Sequence, residues 1–202
     1  MIDMPSLMPA ACVTLAFCAA GTASAQGSAS ADEPPIDRQI AAAVLPLPEG
    51  SRAAATVMGY RDGKLTVLRK GTGAFICLGD NPATKGFQAS CYHNSLEPFM
   101  ARGRSLRELG ITKRAAVDSA RRAEVREGTL AMPSVPAALA SIFADSADFD
   151  PAAGPPKGAG ILDVIYIPYA TGESTGIPEQ PKDGRPWLMY PGEPWAHVMI
   201  SR

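Results

Sequence analysis

The side chains in this chain best suited to chemistry are its four cysteines and two histidines. Cys12 and Cys18 lie in an apolar N-terminal run, and Cys77 and Cys91 stand well beyond it. A dithiol redox centre needs two close cysteines, as in C-x-x-C, and a zinc site needs four ligands, often with C-x2-C spacing. Neither Cys77 nor Cys91 has a close cysteine neighbour, so a metal pair or a catalytic thiol fits poorly. In an exported chain the two have one intramolecular pairing open to them. Closing that loop of about 15 residues is worth about 3 kcal/mol in the chain-entropy account.

The histidines are His93 and His197. His93 follows Cys91 in a polar stretch and reads either as a metal ligand or general base or as an exposed residue where a helix begins. His197 opens the last apolar run, close to Trp187 and Trp195. It can bind a ligand carboxylate, or serve as a base oriented by Asp163 or Glu193; the plainer reading is a hydrogen-bonded histidine at a strand end. Ser90, Ser95 and Ser174 have no G-x-S-x-G context. H-E-x-x-H, Walker and dinucleotide-glycine motifs do not occur, and Gly71-Thr72-Gly73 reads as a turn. No metal site and no cofactor are therefore expected.

Two broader features add binding chemistry. Tyr166, Tyr169, Trp187, Tyr190 and Trp195 flank a Gly/Pro-rich stretch over 171–184. Trp187, Trp195 and Tyr166 with His197 form the candidate ligand groove, against the alternative that these rings pack a core. Residues 102–126 carry eight basic side chains and three acids. Such helices either dock on anionic lipid or envelope polymer or are solvated and ion-paired.

The elements that must position these residues read as follows. A helix spans Ile36 to Leu45, between Pro35 and Pro46. Strands over 54–60 and 64–68 flank Arg61-Asp62-Gly63, a hairpin signal, and a third strand over 74–78 completes a three-stranded meander. Ser95 caps a helix over 96–109, and Thr112 caps another over 113–127 on which Asp118 and Arg122 stand four apart. Leu139, Ile142 and Phe143 suggest a short helix after Pro136. Residues 160–168 are the clearest strand, 187–190 another, and 197–200 the last. The fold expected is a single α+β domain over 36–202: a loop-rich antiparallel sheet of about five strands, packed by two or three helices.

Residues 7–20 are apolar and uncharged, and Ala23-Ser24-Ala25 follows them with the small-x-small pattern of a signal-peptidase site. At about 1.5 Å per residue the run is too short to span a core of roughly 30 Å. Cleavage after Ala25 is expected, giving a periplasmic or secreted protein with a disordered leader over 26–35 and no transmembrane helix. Asp3 and the lack of Lys or Arg ahead of the run depart from a usual signal, and a start at Met4 would remove the acid. Lipidation at Cys18 is the alternative, but Phe17 is bulky where a small residue normally precedes such a cysteine. The formal net charge is −1, and losing Asp3 makes the mature chain neutral, which argues against nucleic acid as a partner.

The segment from Leu68 to Cys77 (LRKGTGAFIC), then Asp80-Asn81-Pro82 and Cys91, resembles a set of small exported bacterial proteins of unknown function. Pro156-Lys157-Gly158, the strand after it, Gly172-Glu173-Ser174 and the ending Pro194 to Ile200 (PWAHVMI) are similar too. Trp195-Ala196 stands where that set more often has Gly-Pro, and His93 where it lacks a histidine. The resemblance implies export and no particular activity. The leading expectation is a non-catalytic envelope protein that binds a small ligand or an envelope component. The alternatives are a small periplasmic hydrolase using His197 with Asp163 or another carboxylate, and a structural protein touching anionic surfaces through its basic helices.

Overall fold

A computed structural model describes residues 33–202. The expected signal peptide and most of the expected leader lie outside the described residues. The leader overlaps them only at 33–35. There the Glu33 carboxylate accepts from the backbone N–H groups of Asp62 (3.0 Å) and Gly63 (2.5 Å).

The described residues form α1 (Ile36–Ala43), α2 (Glu49–Arg52), β1 (Thr56–Arg61), β2 (Lys64–Arg69), β3 (Phe75–Leu78), β4 (Phe87–His93), α3 (Glu97–Glu108), α4 (Arg114–Arg126), β5 (Ala137–Ala144), β6 (Gly160–Tyr166), α5 (Gly172–Thr175), β7 (Trp187–Met189) and β8 (His197–Ser201). All eight strands join one sheet in the order β2-β1-β3-β4-β5-β6-β8-β7. The class is α+β, as expected, but the sheet is larger than five strands and is mixed, because β1 and β3 run parallel. None of the described helices is long and apolar enough to cross a membrane.

The Asp62-Gly63 signal holds. Both residues have positive φ (53° and 73°), and Arg61 pairs with Lys64 across the two-residue turn. The third strand is a correction: β3 pairs with β1 rather than β2, so there is no meander. To reach that side the chain crosses the start of β1 through Gly71-Thr72-Gly73. A Cβ on Gly71 would run into the carbonyl oxygen of Ala54, and one on Gly73 would lie 2.9 Å from the same atom. The residues that read only as a turn are thus the crossing point of the sheet.

A second correction concerns residues 137–144, expected to be helical. They form β5, paired along its length with β4 on one side and β6 on the other. Its alanines and its Leu139, Ile142 and Phe143 spacing suit a helix locally, but the ladders on both flanks prevail. The helices over 97–108 and 114–126 match expectation, though their caps do not. His93, not Ser95, caps the short 3-10 turn that leads into α3, with its Nδ1 receiving the Ser95 N–H (3.3 Å) and lying 2.8 Å from the Ser95 hydroxyl. Lys113 rather than Thr112 precedes α4, and its side chain makes no cap.

Alternation along the strands divides the core in two. On one face, α1 and the Leu45–Leu47 turn cover Val57, Cys77, Ala89, Cys91 and Ile142. The buried Gln39 docks α1: its amide donates to the carbonyls of Pro34 (2.8 Å) and Tyr60 (3.0 Å) and accepts the Tyr60 N–H (2.8 Å). On the other face, α3 and α4 cover Tyr92, Val164, Tyr166 and Met199. Tyr92 anchors α3 there, its hydroxyl donating to Glu97 (2.5 Å) and accepting from Arg104 (2.8 Å). Beyond α5, the Gly/Pro-rich excursion returns to the sheet where the Leu188 N–H meets the Pro178 carbonyl (2.7 Å).

Cys77 and Cys91 face each other across β3 and β4, with Cα atoms 4.0 Å apart and sulfurs 2.07 Å apart, and form a disulfide. We expect Cys77→Ala/Cys91→Ala to lose about 3 kcal/mol in denaturant unfolding, and non-reducing peptide mapping of the parent chain to recover residues 77 and 91 in one linked species. Alkylatable thiols at both positions would contradict the bridge. Gly71→Ala is expected to cost about 1–3 kcal/mol, because the backbone it would strike cannot move without shifting β1. An unchanged midpoint would show that the crossing is looser than described.

Candidate functional site

The registers of three neighbouring strands bring the C-terminal aromatic residues together. Tyr166 on β6 and Met189 on β7 both lie opposite His197 on β8, on the face covered by α3 and α4. The Tyr166 and His197 rings lie 4.8 Å apart between centroids. Tyr190 follows β7 in the left-handed region (φ 56°), which costs a bulky residue on the order of 1–3 kcal/mol. In that conformation its ring is 5.8 Å from His197 and 6.5 Å from Trp195. The segment carrying Trp195 is held by the 167–170 strap: the Ile167 N–H donates to the Ala196 carbonyl (2.8 Å) and the Gly192 N–H to that of Ala170 (2.7 Å).

Helix α4 supplies the other wall. Arg114, Asp118, Arg121 and Arg122 recur at helical spacing and face the aromatic residues across a cavity of about 90 Å³, which Phe99 of α3 also lines. Asp118 takes an ion pair from Arg121 (2.5 Å) and a longer one from Arg114 (3.6 Å). The Arg121 guanidinium lies 4.0 Å above the Phe99 ring. Gly103 makes room for it, since a Cβ there would sit 3.0 Å from an Arg121 nitrogen. Arg122 turns away from an ion pair with Asp118. Its guanidinium stands 5.0 Å from the Tyr190 ring and 5.7 Å from the Trp195 ring.

His197 is 9% exposed, and its Nδ1 lies 2.8 Å from the Trp195 carbonyl oxygen. A carbonyl can only accept, so Nδ1 carries the proton and Nε2 keeps its lone pair. Burial lowers the His197 pKa and holds the ring neutral. Burial also pushes the Tyr166 hydroxyl up to about 12. Trp195 is 2% exposed. Its indole Nε1–H and the Arg121 Nε–H are buried with no partner among the described residues, and each such orphan costs about 1–3 kcal/mol.

Of the four residues expected to form a ligand groove, Tyr166, Trp195 and His197 share this cavity. Trp187 lies further along β7 and does not line it. Neither carboxylate expected to orient His197 does so. Asp163 is on the opposite face of β6, paired with Arg202 (2.7 Å), and Glu193 is paired with Arg126 (2.7 Å). The α4 residues are the part of the site that sequence reasoning missed. Their signal was the Asp118–Arg122 spacing, which marks a helix face without saying what that face meets. Among the described residues no three His, Cys, Asp or Glu side chains converge as a metal centre.

Two larger depressions lie elsewhere. A cleft of about 440 Å³ includes Tyr60, Asp80, Gln88 and Arg107 in its lining, and an apolar groove of about 600 Å³ on the α1 face runs over Ala138 and Ala140. Neither contains a buried, partnerless polar side-chain atom; among the described residues both such atoms belong to residues that line the small cavity, Arg121 and Trp195.

A histidine whose folded-state pKa lies below its usual 6.5 is protonated more readily in the unfolded chain, so folding is favoured above that value. The His197 contribution should therefore be lost as pH falls through about 6.5 towards the lower folded-state value. Denaturant titrations across this range should show parent stability falling more steeply than that of His197→Gln, and parallel curves would contradict a buried neutral imidazole. Searched against protein-family models, curated proteins and solved structures, the chain matches none, so its functional reading comes from the geometry of this site.

Proposed function

We propose that the chain is an exported, non-catalytic domain of the cell envelope that binds a small ligand in the cavity between α4 and β8. The observation that carries this reading is the meeting of Tyr166, Tyr190, Trp195 and His197 around one cavity, two of whose lining residues, Trp195 and Arg121, hold buried donors without partners among the described residues. A pocket edged by rings with a few convergent polar groups is the usual form of a ligand site. The left-handed Tyr190 fits the same reading, because local strain of this kind concentrates at binding positions.

Export is supported by the small-x-small run ending at Ala25, by the likeness to small exported proteins, and by the Cys77–Cys91 bridge, which persists in oxidising compartments. A hydrolase built on His197 is less well supported, since its Nδ1 is held by a carbonyl rather than a carboxylate. Docking through the basic helices is weakened by their pairing. Arg102 is bonded to Glu124, Arg104 to Glu97, Arg121 to Asp118 and Arg126 to Glu193.

Differential scanning fluorimetry against a panel of amino acids, organic acids, sugars and sugar phosphates tests the reading. At least one class should raise the melting temperature of the parent chain, and Tyr190→Ala should weaken that ligand roughly tenfold. Undiminished binding by Tyr190→Ala would place the ligand elsewhere.

A further inference from the structure

The donors around the cavity state what kind of group it would hold. Trp195 Nε1–H and Arg121 Nε–H are both buried and unsatisfied, and both residues line the same space. An indole nitrogen and a guanidinium nitrogen can donate but cannot accept, so the group that completes them must be an acceptor. The surrounding charge has a matching sign. Arg114, Arg121 and Arg122 face the cavity against Asp118 alone, and Asp118 already receives Arg121 and Arg114. With His197 neutral, the lining keeps an excess of positive charge. Among the described residues Arg122 has no carboxylate partner: its Nε donates to the Asp118 backbone carbonyl (3.1 Å).

The volume sets a size. About 90 Å³ is well below the roughly 300–1,000 Å³ of pockets that take drug-sized ligands, which suits one compact acid group better than a whole sugar or nucleobase.

We infer that this cavity is an oxyanion seat: it takes the carboxylate or phosphoryl end of a small ligand on Trp195 Nε1–H and Arg121 Nε–H, and the rest of the ligand leaves past Arg114 and Arg122. This rests on the cavity being the ligand site, and adds the chemistry of the group bound there. His197 becomes the third donor. Its Nδ1–H is committed to the Trp195 carbonyl, so an arriving anion can be met at Nε2 only by taking up a proton. The groups facing the imidazole are Tyr166 and Tyr190 on the sheet side and Arg114 and Asp118 on α4. Asp118 favours the imidazolium and Arg114 opposes it; a bound anion adds to the favouring side, so binding draws in a proton and strengthens as pH falls.

The chain has two tryptophans, so Trp187→Phe leaves Trp195 as the sole indole reporter. In that background we expect acetate or inorganic phosphate, titrated at constant ionic strength with chloride as the balancing salt, to change Trp195 fluorescence saturably. Saturation by acetate alone assigns a carboxylate, and by phosphate alone a phosphoryl group. Arg122→Gln, at a partly exposed position, should weaken the anion roughly tenfold while the chain stays folded at the temperature of the titration, with a midpoint lowered only by its lost contacts with the Tyr190 and Trp195 rings. Affinity should rise as pH falls from about 7.5 to about 6, and His197→Gln should remove that dependence. A linear response to both anions would overturn the proposal and mark the cavity as a water site. Saturation that ignores pH in the parent, or survives intact in Arg122→Gln, would overturn it too. If both anions fail while an uncharged compound from the panel still binds in a Tyr190-dependent way, the ligand-binding reading stands and the oxyanion seat alone falls.

Discussion

A residue on a β-strand is committed to one side of its sheet, and in this molecule that commitment decides which side chains can ever meet. Along β4, Phe87, Ala89 and Cys91 face α1, while Ser90 and Tyr92 face α3. The same parity passes from β4 to β5, β6 and β8 through their registers. It puts Tyr166 and His197 side by side and places Asp163 on the opposite face, across from Ile200 and out of reach. A slip of one residue in β6 would turn Tyr166 to the α1 face and Asp163 to the face of α4. The composition of the candidate site is therefore a property of the ladder before it is a property of any side chain.

This also explains what could be read from the sequence. Features fixed by local chemistry were legible. Asp62-Gly63 needs positive φ at both positions and obtains it in the hairpin. The last strand forms over its apolar run, and the two longer helices over 97–108 and 114–126 form where expected, though on other caps. Features fixed by distant partners were not. Nothing local distinguishes a third strand beside β2 from one beside β1; the distinction lies in Gly71 and Gly73, whose missing Cβ atoms let the chain cross at Ala54. The stretch over 137–144 misleads because a strand paired on both flanks and rich in alanine keeps little period-two contrast, while Leu139, Ile142 and Phe143 fall at helical spacing.

The candidate site was half legible for the same reason. Trp195 and His197 are neighbours in sequence, and Tyr166 is reached through one strand pairing, so their clustering could be anticipated. The arginines of α4 join them from far along the chain, across a helix–sheet contact that no spacing records. Their arrangement also recasts the basic character of residues 102–126. Rather than forming an open cationic surface, Arg121, Arg122 and Arg126 lie over the rings of Phe99, Tyr190 and Trp195. Cation–π contacts of about 0.5–2 kcal/mol each tie α4 to the C-terminal segment and make the wall of the cavity.

An open sheet ends in two strands whose outer N–H and C=O groups would accept another chain, and long, flat, apolar rims of this kind template aggregation. Here β2 and β7 occupy the rims. β7 is three residues long between Pro186 and Pro191, and the returning excursion already takes its Leu188 N–H through Pro178. β2 begins at Lys64 and ends at Arg69 with Lys70 next, and its pairing with β1 is broken by an irregularity at Val57. One rim is too short and partly filled, the other charged at both ends and irregular. The wandering Gly/Pro-rich segment beside β7 thus acts as a guard against strand exchange, letting an eight-stranded sheet stay open without recruiting a ninth strand from another molecule.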